Sequence, residues 1–137
     1  MGFKVVNGLR SIEFGNPGAS RDSLIDLVVN GNKRATAGLL SEYLAEGEPI
    51  EQVGERLAVL DNSGVQVATI EVSRVAVVRF EDVPDEFALA EAEGDLNAAA
   101  FRASHLRFWT EAGEVITPDT EVVTLYFDLV EVLAQRD

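Results

Sequence analysis

Three short stretches of this 137-residue chain carry side chains whose types and spacing suit chemistry: Lys33 with Thr36, the acidic run Glu91, Glu93 and Asp95, and Arg102 with His105. A threonine hydroxyl attacks a carbonyl only once a base takes its proton, and a lysine amine is such a base only when uncharged. Desolvation or a neighbouring cation keeps lysine neutral, whereas a nearby carboxylate favours the ammonium form. A charged Lys33 is instead a ligand anchor. The plain structural reading stands beside both: lysine meets the negative dipole end of a preceding helix, and threonine suits a strand.

In the acidic run, Asp95 reads as the N-cap of the helix that follows, and Glu91 as a solvated residue near the end of the helix before it. Glu93, between the two helices, is the carboxylate expected to face a cleft. It could protonate a leaving amine or orient its neighbours. Several carboxylate oxygens also suit a hard cation, but no ligand spacing here is diagnostic of a metal site. His105 is the single histidine. Arg102 three residues before it and Trp109 four after it share its helix face. It either supports the structure through a backbone carbonyl or faces a ligand. Phe101, Phe108 and Trp109 are assigned to the core, and Tyr43 and Phe14, which flank loop-rich segments, are placed near the cleft.

The elements that must position these groups are legible in outline. Gly15-Asn16-Pro17-Gly18 is turn-rich, and Ser20 or Asp22 can cap a helix carrying Leu24, Ile25, Leu27, Val28 and Val29, with Gly31 as its left-handed stop. Ser41–Glu46 reads as a short helix. Arg56–Leu60 and Val65–Val72 read as a hairpin about Asp61-Asn62-Ser63-Gly64, continued by Val75–Arg79 after a bend near Ser73-Arg74. Pro84–Glu91 and Leu96 to Glu111 are helical, and Glu121–Leu133 is a long closing strand. Strands grouped apart from helices predict an α+β fold, and curling into a small barrel would protect the sheet edges.

Composition limits the function classes. Hydrophobic residues make up 47% of the chain, which is normal for one globular domain spanning residues 1–137. No apolar run is long enough to cross a membrane, and the amino-terminal residues lack a secretory h-region. With no cysteine, disulfides, thiolate nucleophiles and cysteine zinc sites are excluded, and a cytoplasmic setting fits. Twenty-four acidic against eleven basic residues give a net charge of −13. That field opposes binding to a long polyanion such as RNA, whereas a neutral nucleoside-like molecule meets no such repulsion. Phosphate-binding loops, dinucleotide-binding glycine motifs, zinc-protease motifs and nucleophile elbows are absent.

Three ordered segments together resemble the ASCH family. Gly31-Asn32-Lys33-Arg34-Ala35-Thr36 matches the family's G-x-K-x-x-T signature after a helix. The second is the hairpin Gly54-Glu55-Arg56-Leu57-Ala58-Val59-Leu60-Asp61 with Ala68-Thr69-Ile70-Glu71-Val72. The third comprises Phe87-Ala88, Glu91-Ala92-Glu93-Gly94-Asp95 and Phe101-Arg102-Ala103-Ser104-His105. Similar bacterial proteins carry E-G-E-G-D and W-R-x-x-H there, so Ala92 replaces a glycine and Phe101 a tryptophan. Both replacements keep the residue class, since alanine is small and phenylalanine aromatic. The resemblance implies a PUA-like small β-barrel of about five to six strands with flanking helices. It also implies a cleft in which the Lys33 loop faces Glu93, and an association with RNA or RNA-derived ligands. Small ASCH amidohydrolases acting on N4-acetylcytidine use a Lys, a Thr and a Glu, which map to Lys33, Thr36 and Glu93. Arg34, Tyr43, Arg102 and His105 are the expected ligand-binding residues. No cofactor is expected on this reading. One alternative is an RNA-binding module or single-strand ribonuclease, which would bring Mg²⁺ or Mn²⁺ and a basic strip including Arg34, Arg74, Arg79 and Arg102. The other is a ligand-sensing domain without catalysis.

Overall fold

Asn7 and Gly8 both take left-handed φ values, 53° and 80°, and this two-residue turn folds β1 (Val5–Val6) onto β2 (Leu9–Ile12). An Asn-Gly pair is the residue choice such a hairpin turn demands. The hairpin was not among the expected elements. It belongs to a computed structural model that describes residues 4–133. The chain continues through α1 (Ala19–Val29), β3 (Ala35–Leu39), α2 (Leu40–Glu46), β4 (Arg56–Leu60) and β5 (Gln66–Arg79). After these come α3 (Asp85–Glu91), α4 (Ala98–Glu111) and β6 (Glu121–Val132).

The six strands form one mixed sheet in the order β1-β2-β4-β5-β6-β3. Every pairing is antiparallel except β2 with β4. β5 is a single 14-residue strand rather than two. Its register against β6 slips between Val72 and Arg74, at the expected bend, as a bulge increases local twist. The α+β arrangement and strand number agree with expectation. The hydrogen-bond ladder does not close into a complete barrel among the described residues, so β3 lies at a sheet edge.

Alternation along β6 divides the core. Val123, Leu125 and Phe127 join Ile25 and Val28 of α1 and Tyr43 of α2 in one cluster. Val122 joins Ala35 and Leu39 of β3, Phe87 of α3, and Phe101 and Trp109 of α4 in a second. Phe87 meets Phe101 edge-on at 5.7 Å between ring centroids. These contacts fix α3 and α4 against β3, and the turn joining the two helices therefore stands at the end of that edge strand.

α1 ends as expected, with Gly31 at φ 85°. The start of α4 is a correction: Asn97, not Asp95, is the N-cap and accepts from Ala100 N at 2.8 Å. Asp85 of α3 adds a second cap, accepting from Ala98 N at 2.7 Å. The acidic turn uses more residues than a direct connection would. Asp95 therefore lies outside the cap position and accepts from Ser104 Oγ at 2.7 Å.

Candidate functional site

Lys33 precedes β3 and is almost completely buried, at 1% exposure. An ammonium carries three donors, and each has an acceptor here. Nζ donates to Ala35 O at 2.8 Å, to Glu93 Oε2 at 2.5 Å and, more weakly, to Glu91 O at 3.4 Å. The Phe14 ring centroid lies 5.7 Å from Nζ. Three acceptors, one of them a carboxylate, match the three donors of an ammonium.

Edge geometry explains the position of the neighbouring groups. Phe127 N donates to Arg34 O at 2.9 Å, so strand alternation turns the Ala35 and Ala37 peptide groups away from β6. Lys33 takes the Ala35 carbonyl. Ala37 and Thr36 border a cavity of about 200 Å³. Its other walls are Phe14 and Gly15 before α1, Ser20 and Leu24 of α1, the side chains of Glu91, Glu93 and Asp95, and Ser104, His105, Phe108 and Trp109 of α4. This volume lies below the ~300–1,000 Å³ common for ligand pockets, which favours a small occupant. Arg21 holds the loop in front of α1: its Nε donates to Phe14 O and its Nη2 to Gly15 O, both at 3.1 Å.

The acidic turn is built on a strained residue. Ala92 caps α3 with φ 56° and ψ 29°, a left-handed conformation, at the position where glycine was expected from related sequences. A non-glycine residue there costs roughly 1 kcal/mol. The reversal puts the Glu91 carbonyl and the Glu93 carboxylate on the same ammonium. It also turns the Glu91 side chain inward, where it is 2% exposed. Its Oε1 takes no hydrogen bond from the described residues, and the nearest basic atom is His105 Nε2 at 3.5 Å. Burial is the main cause that raises the Glu91 pKa from 4.5 to about 8; the Lys33 charge opposes the rise, and Glu93 and Asp95 add to it.

The His105 ring stacks on Phe101, 3.9 Å between centroids. Its Nδ1 lies 3.2 Å from Phe101 O. A carbonyl can only accept, so Nδ1 carries the proton and Nε2 presents a lone pair toward Glu91. Burial lowers the His105 pKa from 6.5, outweighing the raising effects of Glu93, the Phe101 carbonyl and Asp95.

A model of the ASCH domain matches residues 10–131. The chain belongs to the ASCH domain family. Two solved structures resemble this ASCH domain. One is an ASCH domain from Lactobacillus crispatus JV V101, 27% identical, with a TM-score of 0.75 over 88% of this chain and 80% of that one. The other is a protein from Enterococcus faecalis V583, 27% identical, with a TM-score of 0.77 over 88% and 75% of the respective chains. No curated protein matches the sequence.

Within this ASCH domain the fold brings Thr36, Glu93 and His105 to one cavity, together with Phe14. Lys33 reaches Glu93 from outside that cavity's lining. The other expected ligand-binding residues lie elsewhere. Tyr43 sits in the first core cluster at 1% exposure, its hydroxyl donating to Glu51 Oε1 at 2.7 Å; α2 presents it to the sheet rather than to the edge of β3. Arg34, just before β3, borders a different hollow together with Asn32 and Tyr126. Arg102 leaves the His105 face and donates to Glu81 O at 3.2 Å. Phe108, expected in the core, borders the cavity and is 39% exposed. Glu91, expected in solvent, is the group that sequence reasoning missed.

Glu91, Glu93 and His105 each offer a ligand atom within 4.8 Å of the others. The Lys33 ammonium already occupies Glu93 Oε2, so the trio as arranged does not fit a resident divalent ion. No helix among the described residues is long and apolar enough to cross a membrane.

Proposed function

We propose that this ASCH domain binds a small, neutral, nucleoside-like ligand at the edge of β3 and hydrolyses an amide on it, with an N4-acylated cytidine as the substrate class. The observation that carries this reading is one small cavity lined by Thr36 and Glu93, with Lys33 bonded to Glu93. Thr36 Oγ attacks the acyl carbon while its proton passes to the Glu93 carboxylate. The carbon–nitrogen bond then breaks, and Glu93 returns that proton to the departing exocyclic nitrogen. Water hydrolyses the resulting threonine ester, releasing the free acid and restoring the hydroxyl. Lys33 acts as a positioning residue: its three donors are engaged, which favours the ammonium that holds Glu93 over an amine base for Thr36.

Acidic walls disfavour a polyanion in the same cavity. Three of the arginines of the expected basic strip are already engaged: Arg74 with Glu86, Arg79 with Asp119, and Arg102 with a backbone carbonyl. The ribonuclease reading is therefore the weaker one, and it would need steep loss of affinity with salt. The test of the preferred reading is incubation with N4-acetylcytidine, with chromatography of cytidine and acetate. Thr36→Ala and Glu93→Gln should each slow turnover at least ~100-fold. Undiminished turnover in either variant would remove that residue from the mechanism, and no turnover by the wild type would exclude the substrate.

A further inference from the structure

The hydrolytic reading leaves Glu91 without a role, although it is the most deeply buried carboxylate in the cavity wall. Buried polar atoms almost always have partners, and an orphan in a native fold requires an explanation. The Glu91 Oε1 atom is such an orphan. Its surroundings identify its protonation state by geometry. His105 Nδ1 carries a hydrogen because it faces the Phe101 carbonyl at 3.2 Å. Nε2 therefore turns a lone pair toward Oε1 at 3.5 Å. A lone pair against a carboxylate oxygen is repulsive, and a proton on the carboxyl relieves it. At 3.5 Å the contact is nevertheless too long for a strong O–H···N bond, which is near 2.8 Å. The proton is held without being consumed.

We propose that Glu91 enters the cavity wall as a neutral carboxylic acid and reads the ligand through its Oε2 hydroxyl, which donates to a ring nitrogen while Oε1 stays buried against His105. The class of ligand that fits is a planar heterocycle with an acceptor nitrogen in its ring. In an N4-acylated cytidine this is N3, so the inference rests on the proposed substrate class and adds the residue that selects it. Phe108 and Trp109 border the same cavity and give a flat ring apolar contact. A neutral acid suits a neutral base edge, whereas a carboxylate would repel N3. The contact differs from the role of Glu93, whose carboxylate is held by Lys33 and faces the scissile amide. A neutral carboxylic acid acting as a hydrogen-bond donor in a buried site is physically sound, because low polarity favours the uncharged form.

The experiment measures calorimetric binding in a Thr36→Ala background, which removes turnover. The probes are N4-acetylcytidine and its 3-deaza analogue, in which C–H replaces N3. With Glu91 intact, the analogue should bind at least about ten-fold more weakly, the loss of one buried hydrogen bond. Glu91→Gln, which keeps one donor and one acceptor, should preserve that preference; Glu91→Ala should bind both probes equally. Affinity should fall above about pH 8 with Glu91 intact and stay level in Glu91→Gln. The titratable groups facing Glu91 are His105 on α4, Lys33 before β3, and Glu93 and Asp95 in the turn, and they are unchanged between these two proteins. A preference for N4-acetylcytidine that survives Glu91→Ala overturns the role of Glu91. Binding by wild type without turnover overturns hydrolysis and leaves the role of Glu91 standing. Absence of binding by the wild type overturns the substrate class and the role together.

Discussion

Replacing Lys33 with methionine keeps an unbranched apolar stem in the fold and deletes the ammonium. Lys33 is 1% exposed and gives up contacts to Ala35 O, Glu91 O and Glu93 Oε2 at 2.8, 3.4 and 2.5 Å. Removing one partner of a buried pair costs about 3–5 kcal/mol, chiefly through the groups left behind. Two effects reduce this. Glu93 keeps 26% of its side chain in solvent and can rehydrate, and the fold no longer has to desolvate an ammonium. We therefore expect Lys33→Met to destabilise the domain by about 3 kcal/mol, measured by urea unfolding with an unchanged denaturant slope. Glu93→Gln alone should cost about 1 kcal/mol, and the double variant should show a coupling of about 1–2 kcal/mol. A loss below about 1 kcal/mol in Lys33→Met would refute the buried, fully acceptor-bound ammonium.

Two further outcomes follow from the buried acids. The pKa of Glu91, raised from 4.5 to about 8, means that its contribution to stability is fully present below about pH 4.5 and is lost as the pH rises through about 8, because the unfolded chain sheds the proton first. The gap corresponds to at most about 5 kcal/mol at ~1.4 kcal/mol per pH unit. Urea unfolding at pH 5 and pH 8.5 should show the wild type losing on the order of 2–4 kcal/mol relative to Glu91→Gln, and parallel curves would sink the argument. Tyr43→Phe leaves the Glu51 carboxylate, 2% exposed, without its 2.7 Å donor. It should cost about 1–3 kcal/mol of stability with no change in ligand affinity; an effect on affinity would return Tyr43 to the site.

The sequence revealed features whose signals are local. Gly31 marks the end of α1, the bend in β5 lies at Ser73-Arg74, and the Lys33–Thr36 spacing marks the start of the edge strand. Asn7-Gly8 carries an equally local turn signal, but the strands it joins are only two and four residues long, too short for a strand pattern to show in sequence. Glu91 and Tyr43 failed for a different reason. A glutamate at a helix end reads as solvated, and its burial depends on how α4 brings His105 above it. A tyrosine beside loops reads as accessible, and its burial depends on a carboxylate eight residues away that accepts its hydrogen bond. Arg102 shares the helical spacing of His105 but not its direction, since a long side chain can bend toward a carbonyl that periodicity does not reveal.

The left-handed alanine at position 92 limits how the sequence around this cleft can change. Ala92 borders no part of the cavity, yet the residues on either side of it present the Glu91 carbonyl and the Glu93 carboxylate to Lys33. A β-branched residue cannot hold φ 56° without severe clash, and any relaxation of that angle would move Glu91 and Glu93 together. Sequence change at this position is therefore restricted to glycine, alanine and the few residues that tolerate the turn, such as asparagine. The chemistry of two carboxyl groups is tied to the mutational tolerance of a methyl group that never meets the ligand.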